Sequence, residues 1–186
     1  MAVEQPKYTL LERDGSITIR RYESTIIAKT TVETSDMDSA SNEGFRRIAS
    51  FIFGGNTTQG KITMTAPVIS SKATSEKIAM TAPVSMQGKS GSFVVAFTMP
   101  ASYTLETLPK PNDPRVIVEQ MPGKRMAVIS YSGAWSHEQI ESKKQALEGW
   151  LVQHNIKSVG EAIFARYNPP WWPWFLRTNE VQIEVE

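Results

Sequence analysis

Lys61-Ile62-Thr63-Met64-Thr65-Ala66-Pro67-Val68 returns 16 residues later as Lys77-Ile78-Ala79-Met80-Thr81-Ala82-Pro83-Val84, with seven of the eight positions identical. In each copy Ile, Met and Ala alternate with Lys and small residues, the pattern of a short strand with one apolar face. Each copy then meets a proline, which withdraws a ladder donor and favours an edge or a bulge. The polar stretch 70–76 reads as the turn between them. Two readings stand. The copies are the arms of a hairpin that share one binary pattern, or the soft side chains of Met64 and Met80 line a cavity for a flat apolar ligand.

On the N-terminal side, Asp14-Gly15 separates the strands 8–13 and 16–22 with a strong hairpin signal. Thr25 to Glu33 is rich in Ile, Val and Thr and predicts another strand. Ser35 or Asp36 caps a helix, in which Met37, Ala40, Gly44, Phe45, Ile48, Ala49 and Ile52 form one face. Gly54-Gly55-Asn56 ends it. On the C-terminal side, 92–99 reads as a strand, and the four prolines between 100 and 114 mark a linker within the fold. Strands follow at 115–120 and 125–131. Ser136, with Gln139 at the capping-box position, opens a second helix whose inner stripe is Ile140, Lys144, Leu147, Trp150 and Leu151. His154-Asn155 ends it, and the last strands are 162–167 and 181–185. The order strands, helix, strands occurs twice, in halves of about 8–99 and 102–186 of a single domain spanning 1–186. An α+β fold is predicted, with two helices on an antiparallel sheet that curls into a distorted barrel.

With 40% hydrophobic residues the chain can bury a sizeable core, and a net charge of +1 disfavours a nucleic-acid binder. The absence of cysteine excludes disulfides, thiolate catalysis, iron–sulfur clusters and thiolate haem ligation. No signal peptide and no run long enough to span a membrane is visible, so a cytoplasmic protein is expected. A monomer is the expected assembly.

Asn168-Pro169-Pro170-Trp171-Trp172-Pro173-Trp174-Phe175-Leu176-Arg177 sets three indoles in a proline-stiffened loop. Trp171 and Trp172 either stack on a planar ligand or plug one end of the sheet. Arg177 beside them is placed to meet a carboxylate. Only two histidines exist, His137 and His154. There is no HExxH, no nucleophile elbow and no phosphate-cradling loop, so an enzyme is not expected. Among the acids, Glu180 stands out because Arg177 and Asn179 flank it.

Gly44-Phe45, Gly54, Asn56, Met64-Thr65-Ala66-Pro67-Val68, Phe97-Thr98-Met99-Pro100, Tyr167-Asn168-Pro169-Pro170-Trp171 and Arg177-Thr178-Asn179-Glu180-Val181 together resemble the SOUL haem-binding proteins, in their bacterial branch. The likeness runs from about Tyr8 to the C-terminus. It implies a distorted β-barrel of two ββαββ halves and non-covalent binding of haem or another tetrapyrrole, for buffering or transport. It also implies that the ligand lies in an apolar groove beside the first helix. The matching positions are Asn42, Phe45, Ala49 and Ser50, with Arg46 and Arg47 near enough to meet propionates. A histidine ligand proposed in one branch falls at Arg21 here, so the axial ligand is unassigned. The alternative is an effector-binding or hydrolase domain similar to the DNA gyrase inhibitor-like proteins, acting on hydrophobic small molecules, with Glu180 or Glu106 in an aromatic pocket. A third reading is an interaction module that docks through its tryptophan loop.

Overall fold

Alternating and helical apolar patterns resolve into eleven strands and two helices in a computed structural model that describes residues 4–58, 75–89, 91–168 and 172–186. The elements are β1 (Tyr8–Asp14), β2 (Ile17–Tyr22), β3 (Thr25–Val32), α1 (Met37–Ile52), β4 (Asn56–Thr57), β5 (Val84–Lys89) and β6 (Ser92–Thr98). They continue with β7 (Lys110–Pro111), β8 (Ile117–Met121), β9 (Arg125–Ser132), α2 (His137–Gln153), β10 (Ser158–Arg166), a 3-10 turn (Trp174–Leu176) and β11 (Thr178–Val185). Both helices start where their caps predict. The Asp36 carboxylate accepts from the Ser39 amide at 2.8 Å and the Ser136 hydroxyl from the Gln139 amide at 3.2 Å.

Nine strands form one antiparallel sheet in the order β1-β2-β9-β11-β10-β5-β6-β3-β8, while β4 and β7 pair separately. The order reads symmetrically outward from the β10–β5 junction. The first strand of each helical half is exchanged: β2 pairs with β9, and β8 pairs with β3. Both helices cover one face. Under α2 lie Ile19, Ala127, Ile129, Phe164, Val181 and Ile183, packed on Ile140, Leu147 and Leu151. Under α1 lie Ala28, Val95 and Phe97, packed on Ile48, Phe51 and Ile52. The helix approaches so closely that a Cβ on Gly44 would stand 2.5 Å from the Val95 Cβ. A glycine is therefore required there.

The predicted barrel does not form. The sheet has two free ends, β1 and β8, and no ladder joins them among the described residues. Each half shuts its core with a helix, so rolling the sheet closed is not needed to bury it. The β1 end is also unsuited to pairing, since its residues are exposed, it carries Glu12, Arg13 and Asp14, and its register shifts between Leu10 and Glu12. The sheet nevertheless curls. Glu23 and Ser24 alone join β2 to β3, and Pro122, Gly123 and Lys124 alone join β8 to β9, so strands from opposite ends of the order are drawn together. Tyr22 N donates to Lys124 O at 2.8 Å and Lys124 N to Tyr22 O at 3.2 Å, extending the β2–β9 ladder into this corner. Gly123 permits this contact, because a Cβ there would lie 2.7 Å from the Tyr22 carbonyl oxygen.

The strand expected over 77–84 is also corrected. Only Val84 belongs to one, at the start of β5. Upstream, the polar groups go to three different elements. Ile78 N donates to Ile52 O and Ala82 N to Glu4 O, both at 2.9 Å, while the Thr81 hydroxyl donates to Thr98 O. No neighbouring strand can then form a ladder. Ile78 and Ala82 are buried, but Met80 is 40% exposed, so the three do not share a face. The first copy, with Met64, lies outside the described residues.

Candidate functional site

The face of the sheet away from the helices takes the other half of each strand's alternation. Across it run Arg20 and Tyr22 of β2, Met126 and Ser130 of β9, Glu180 and Gln182 of β11, Ile163 of β10, Ala96 of β6 and Ile27 of β3. Curling turns this face into a recess of about 300 Å³. That lies at the lower end of small-molecule sites, roughly 300–1,000 Å³. Tyr22, Ile27, Ala96, Met121, Met126 and Ile163 supply apolar walls, with Lys29, Glu119 and Lys124 among the lining residues. Lys29 pairs with Glu119 at 2.6 Å, and Lys124 pairs with Glu184.

Beneath the walls lies a buried polar floor. The Glu180 carboxylate accepts four hydrogen bonds, from Arg20 Nη1 at 2.9 Å, Ser130 Oγ at 3.0 Å, Tyr167 OH at 2.6 Å and Gln182 Nε2 at 2.8 Å. Arg20 also donates to Thr18 Oγ1 at 2.9 Å and to the Tyr22 hydroxyl at 3.1 Å. Burial opposes the charge of Arg20, but Glu180 and Tyr22 outweigh it and hold the guanidinium above its ordinary pKa. Burial and the Glu180 charge push both Tyr22 and Tyr167 upward, so their phenols stay protonated. With its oxygens engaged by four donors, Glu180 has no lone pair placed to take a substrate proton.

The residues predicted beside α1 lie elsewhere, and none of them lines this recess. Phe45 is 39% exposed, with its ring 5.5 Å from that of Phe97. Asn42 and Ser50 are exposed and Ala49 is buried. Arg46 and Arg47 both bind Glu43, Arg47 Nε at 2.7 Å, and Arg47 also donates to Thr31 O at 2.9 Å. Met80 faces outward, and Trp171 lies outside the described residues. Trp172, Trp174 and Phe175 are 43%, 62% and 58% exposed, and Arg177 Nε donates to Trp172 O at 2.8 Å. Trp172 and Trp174 are therefore not a core plug. His154 stacks on Trp150 with ring centroids 4.0 Å apart, and neither histidine reaches the recess. Glu106 is exposed on the 100–109 segment.

Sequence reasoning singled out Glu180 and missed Tyr22, Tyr167 and Gln182. The available signal was polar residues at alternate positions of β2 and β11, in strands whose remaining positions are apolar. Among the described residues no group of three or more metal-ligating side chains occurs, and no helix is long and apolar enough to cross a membrane.

Solved structures share the fold. The EcmrR C-terminal domain superimposes with a TM-score of 0.66 at 10% identity, covering 96% of this chain and 98% of that one. A hydrolase from Listeria innocua does so with a TM-score of 0.56 at 6% identity, covering 100% and 94%. In sequence, the chain is 28% identical to "Heme-binding protein 2" of Homo sapiens, over 100% of this chain and 91% of the relative. It is 26% identical to the Mus musculus protein of the same name, over 98% and 90%. The description "SOUL heme-binding protein" matches residues 3–184. With nearly its whole length matched, the chain belongs to the SOUL family of haem-binding proteins.

Proposed function

We propose that this protein binds haem or a related tetrapyrrole non-covalently on the open face of its sheet, for buffering or transport. The observation that carries this reading is the apolar recess of about 300 Å³ that the curled sheet leaves uncovered. Each 100 Å² of apolar ligand surface removed from water there contributes about 2.5 kcal/mol. Lys29 and Lys124 stand where propionates would exchange for Glu119 and Glu184. The residues fit the disc better than they fit its iron. No histidine lines the recess, the tyrosines are held protonated, and the thioethers of Met86, Met121 and Met126 are its soft donors. Haem supplies a redox-active iron when bound, while the chain supplies contact area, orientation and charge pairing. Iron-free protoporphyrin is accordingly expected to bind nearly as well as hemin.

A second reading places the ligand against α1, and the exposed Phe45 ring on Phe97 favours it. Asn42, Arg46, Ala49 and Ser50 would then line the contact. Titration with hemin, followed at the Soret band, separates the two. Ala96→Arg should weaken binding at least tenfold and Phe45→Asp should leave it within twofold. The reverse pattern moves the site to α1. A Soret band indistinguishable from free hemin, with no saturation, rejects tetrapyrrole binding altogether.

A further inference from the structure

Gln182 is only 8% exposed, yet it lines the open-face recess. Its amide orientation is fixed, because a carboxylate only accepts and Nε2 donates to Glu180 at 2.8 Å. The carbonyl oxygen must therefore point away from Glu180, and it accepts no hydrogen bond among the described residues. That oxygen is not sealed off: it opens onto the recess, where a ligand donor can reach it.

Tyr22 is its complement. Its hydroxyl accepts from Arg20 at 3.1 Å and donates to none of the described residues. Burial keeps its proton in place. Arg20 Nη1 touches both the Tyr22 hydroxyl and Glu180, and Gln182 holds the other oxygen of the same carboxylate. An O–H donor and a C=O acceptor thus flank a single charge pair, inside a recess that is otherwise largely apolar, with Lys29, Glu119 and Lys124 among its lining residues.

We infer that the recess is built to take an apolar ligand carrying a lactam edge, an N–H beside a C=O, which donates to the Gln182 carbonyl and accepts from the Tyr22 hydroxyl. A haem ring has no such edge, because its four nitrogens are metallated and its periphery is hydrocarbon apart from the propionates. A bilin, the open-chain tetrapyrrole left by oxidative cleavage of a porphyrin ring, has one at each end and keeps the propionates that Lys29 and Lys124 would meet. The inference rests on the open-face reading above and adds the ligand's chemical class.

The test is parallel titration of the full chain with biliverdin, which carries two terminal lactams, and with hemin, using absorbance and induced circular dichroism. Biliverdin is expected to bind at least tenfold more tightly than hemin. Tyr22→Phe and Gln182→Met should each reduce the ratio of biliverdin to hemin affinity about fivefold. A purely structural role for these residues would weaken both ligands together and leave the ratio unchanged. The two substitutions remove opposite partners of the lactam, so one suffices if the other does not fold. The inference is overturned if hemin binds as tightly as biliverdin, or if both variants leave the ratio unchanged. If that happens while Ala96→Arg still weakens both ligands, the open-face site survives and only the lactam specificity falls. If Ala96→Arg affects neither ligand, or neither ligand binds, the open-face reading and the inference fall together.

Discussion

The two faces of this sheet use the same strands for different purposes. On the covered face, Ile19, Val95, Phe97 and Val181 meet hydrocarbon from two helices, and the interior is sealed. On the open face, the alternate residues of the same strands leave a recess walled with methionine, isoleucine and tyrosine, with the buried Arg20–Glu180 pair behind its Tyr22, Tyr167 and Gln182. Burial without a cover is tolerated there because every Glu180 oxygen and the guanidinium are engaged. The contrast shows how one period-two pattern supplies a stable interior on one side and a ligand surface on the other.

The largest effect is expected from breaking the floor. Glu180→Ala should lower stability by about 3–5 kcal/mol, because the Arg20 guanidinium would remain buried without a counter-charge. Glu184→Ala, which frees the half-exposed Lys124, should cost under about 1 kcal/mol. Urea denaturation of both variants checks this, and equal losses would mean that the floor is not a dry, coupled pair. The second test compares the faces directly. Leu147→Ala beneath α2 should cost about 3 kcal/mol by cavity formation. Val94→Ala on the open face should cost under about 1 kcal/mol, since its methyls are already partly in water. Similar losses would show that the open face is an interior after all.

Gly44→Ala sharpens the picture of the covered side. Helix propensity favours alanine by roughly 1 kcal/mol. The clash of the new Cβ with Val95 works against that gain, and thermal unfolding should show a net loss of about 1–3 kcal/mol. A rise in Tm would show that α1 can lift off β6 at little cost.

The smallest effect is expected at Tyr131, which is buried under α2 with a hydroxyl that finds no partner among the described residues. Burial pushes its pKa up to about 12, with Arg166 partly opposing the rise. A raised folded pKa stabilises fully below the unfolded value of about 10 and loses that contribution as pH climbs through 12. Tyr131→Phe, which removes a buried hydroxyl with no partner among the described residues, should raise stability at pH 7 by about 1 kcal/mol. It should flatten the decline of wild-type stability between pH 10 and 12. An unchanged alkaline limb in the variant would place the Tyr131 hydroxyl in contact with water.

Element order was legible because caps and periodicities are local. Asp36, Ser136, Asp14-Gly15 and the stripe from Ile140 to Leu151 all act as their residue types dictate. The barrel was not legible, since closure depends on what the two end strands do, and the charges of β1 carry no information about where β8 lies. The octapeptide misled for a related reason. Its second copy has the alternation of a strand, but its polar groups are bound by Ile52, Glu4 and Thr98, which are remote in sequence. Phe45 reads as a core residue by period, yet the crossing of α1 on β6 at Gly44 turns it outward. Glu180 was noticed for Arg177 and Asn179, whereas its partners are Gln182 on the same strand, Tyr167 just past the end of the paired β10, and Arg20, which arrives only through the exchange of β2.

That exchange has an outcome for the chain as a physical object. Each half lends its leading strand to the other, so neither owns a complete hydrogen-bonded array. A polypeptide severed in the 100–109 segment would yield two pieces that are poor folders alone but re-associate when mixed, each restoring the ribbon the other lacks. Because Arg20 arrives on a lent strand and Glu180 on the host, reconstitution of the pieces would also restore the ligand floor.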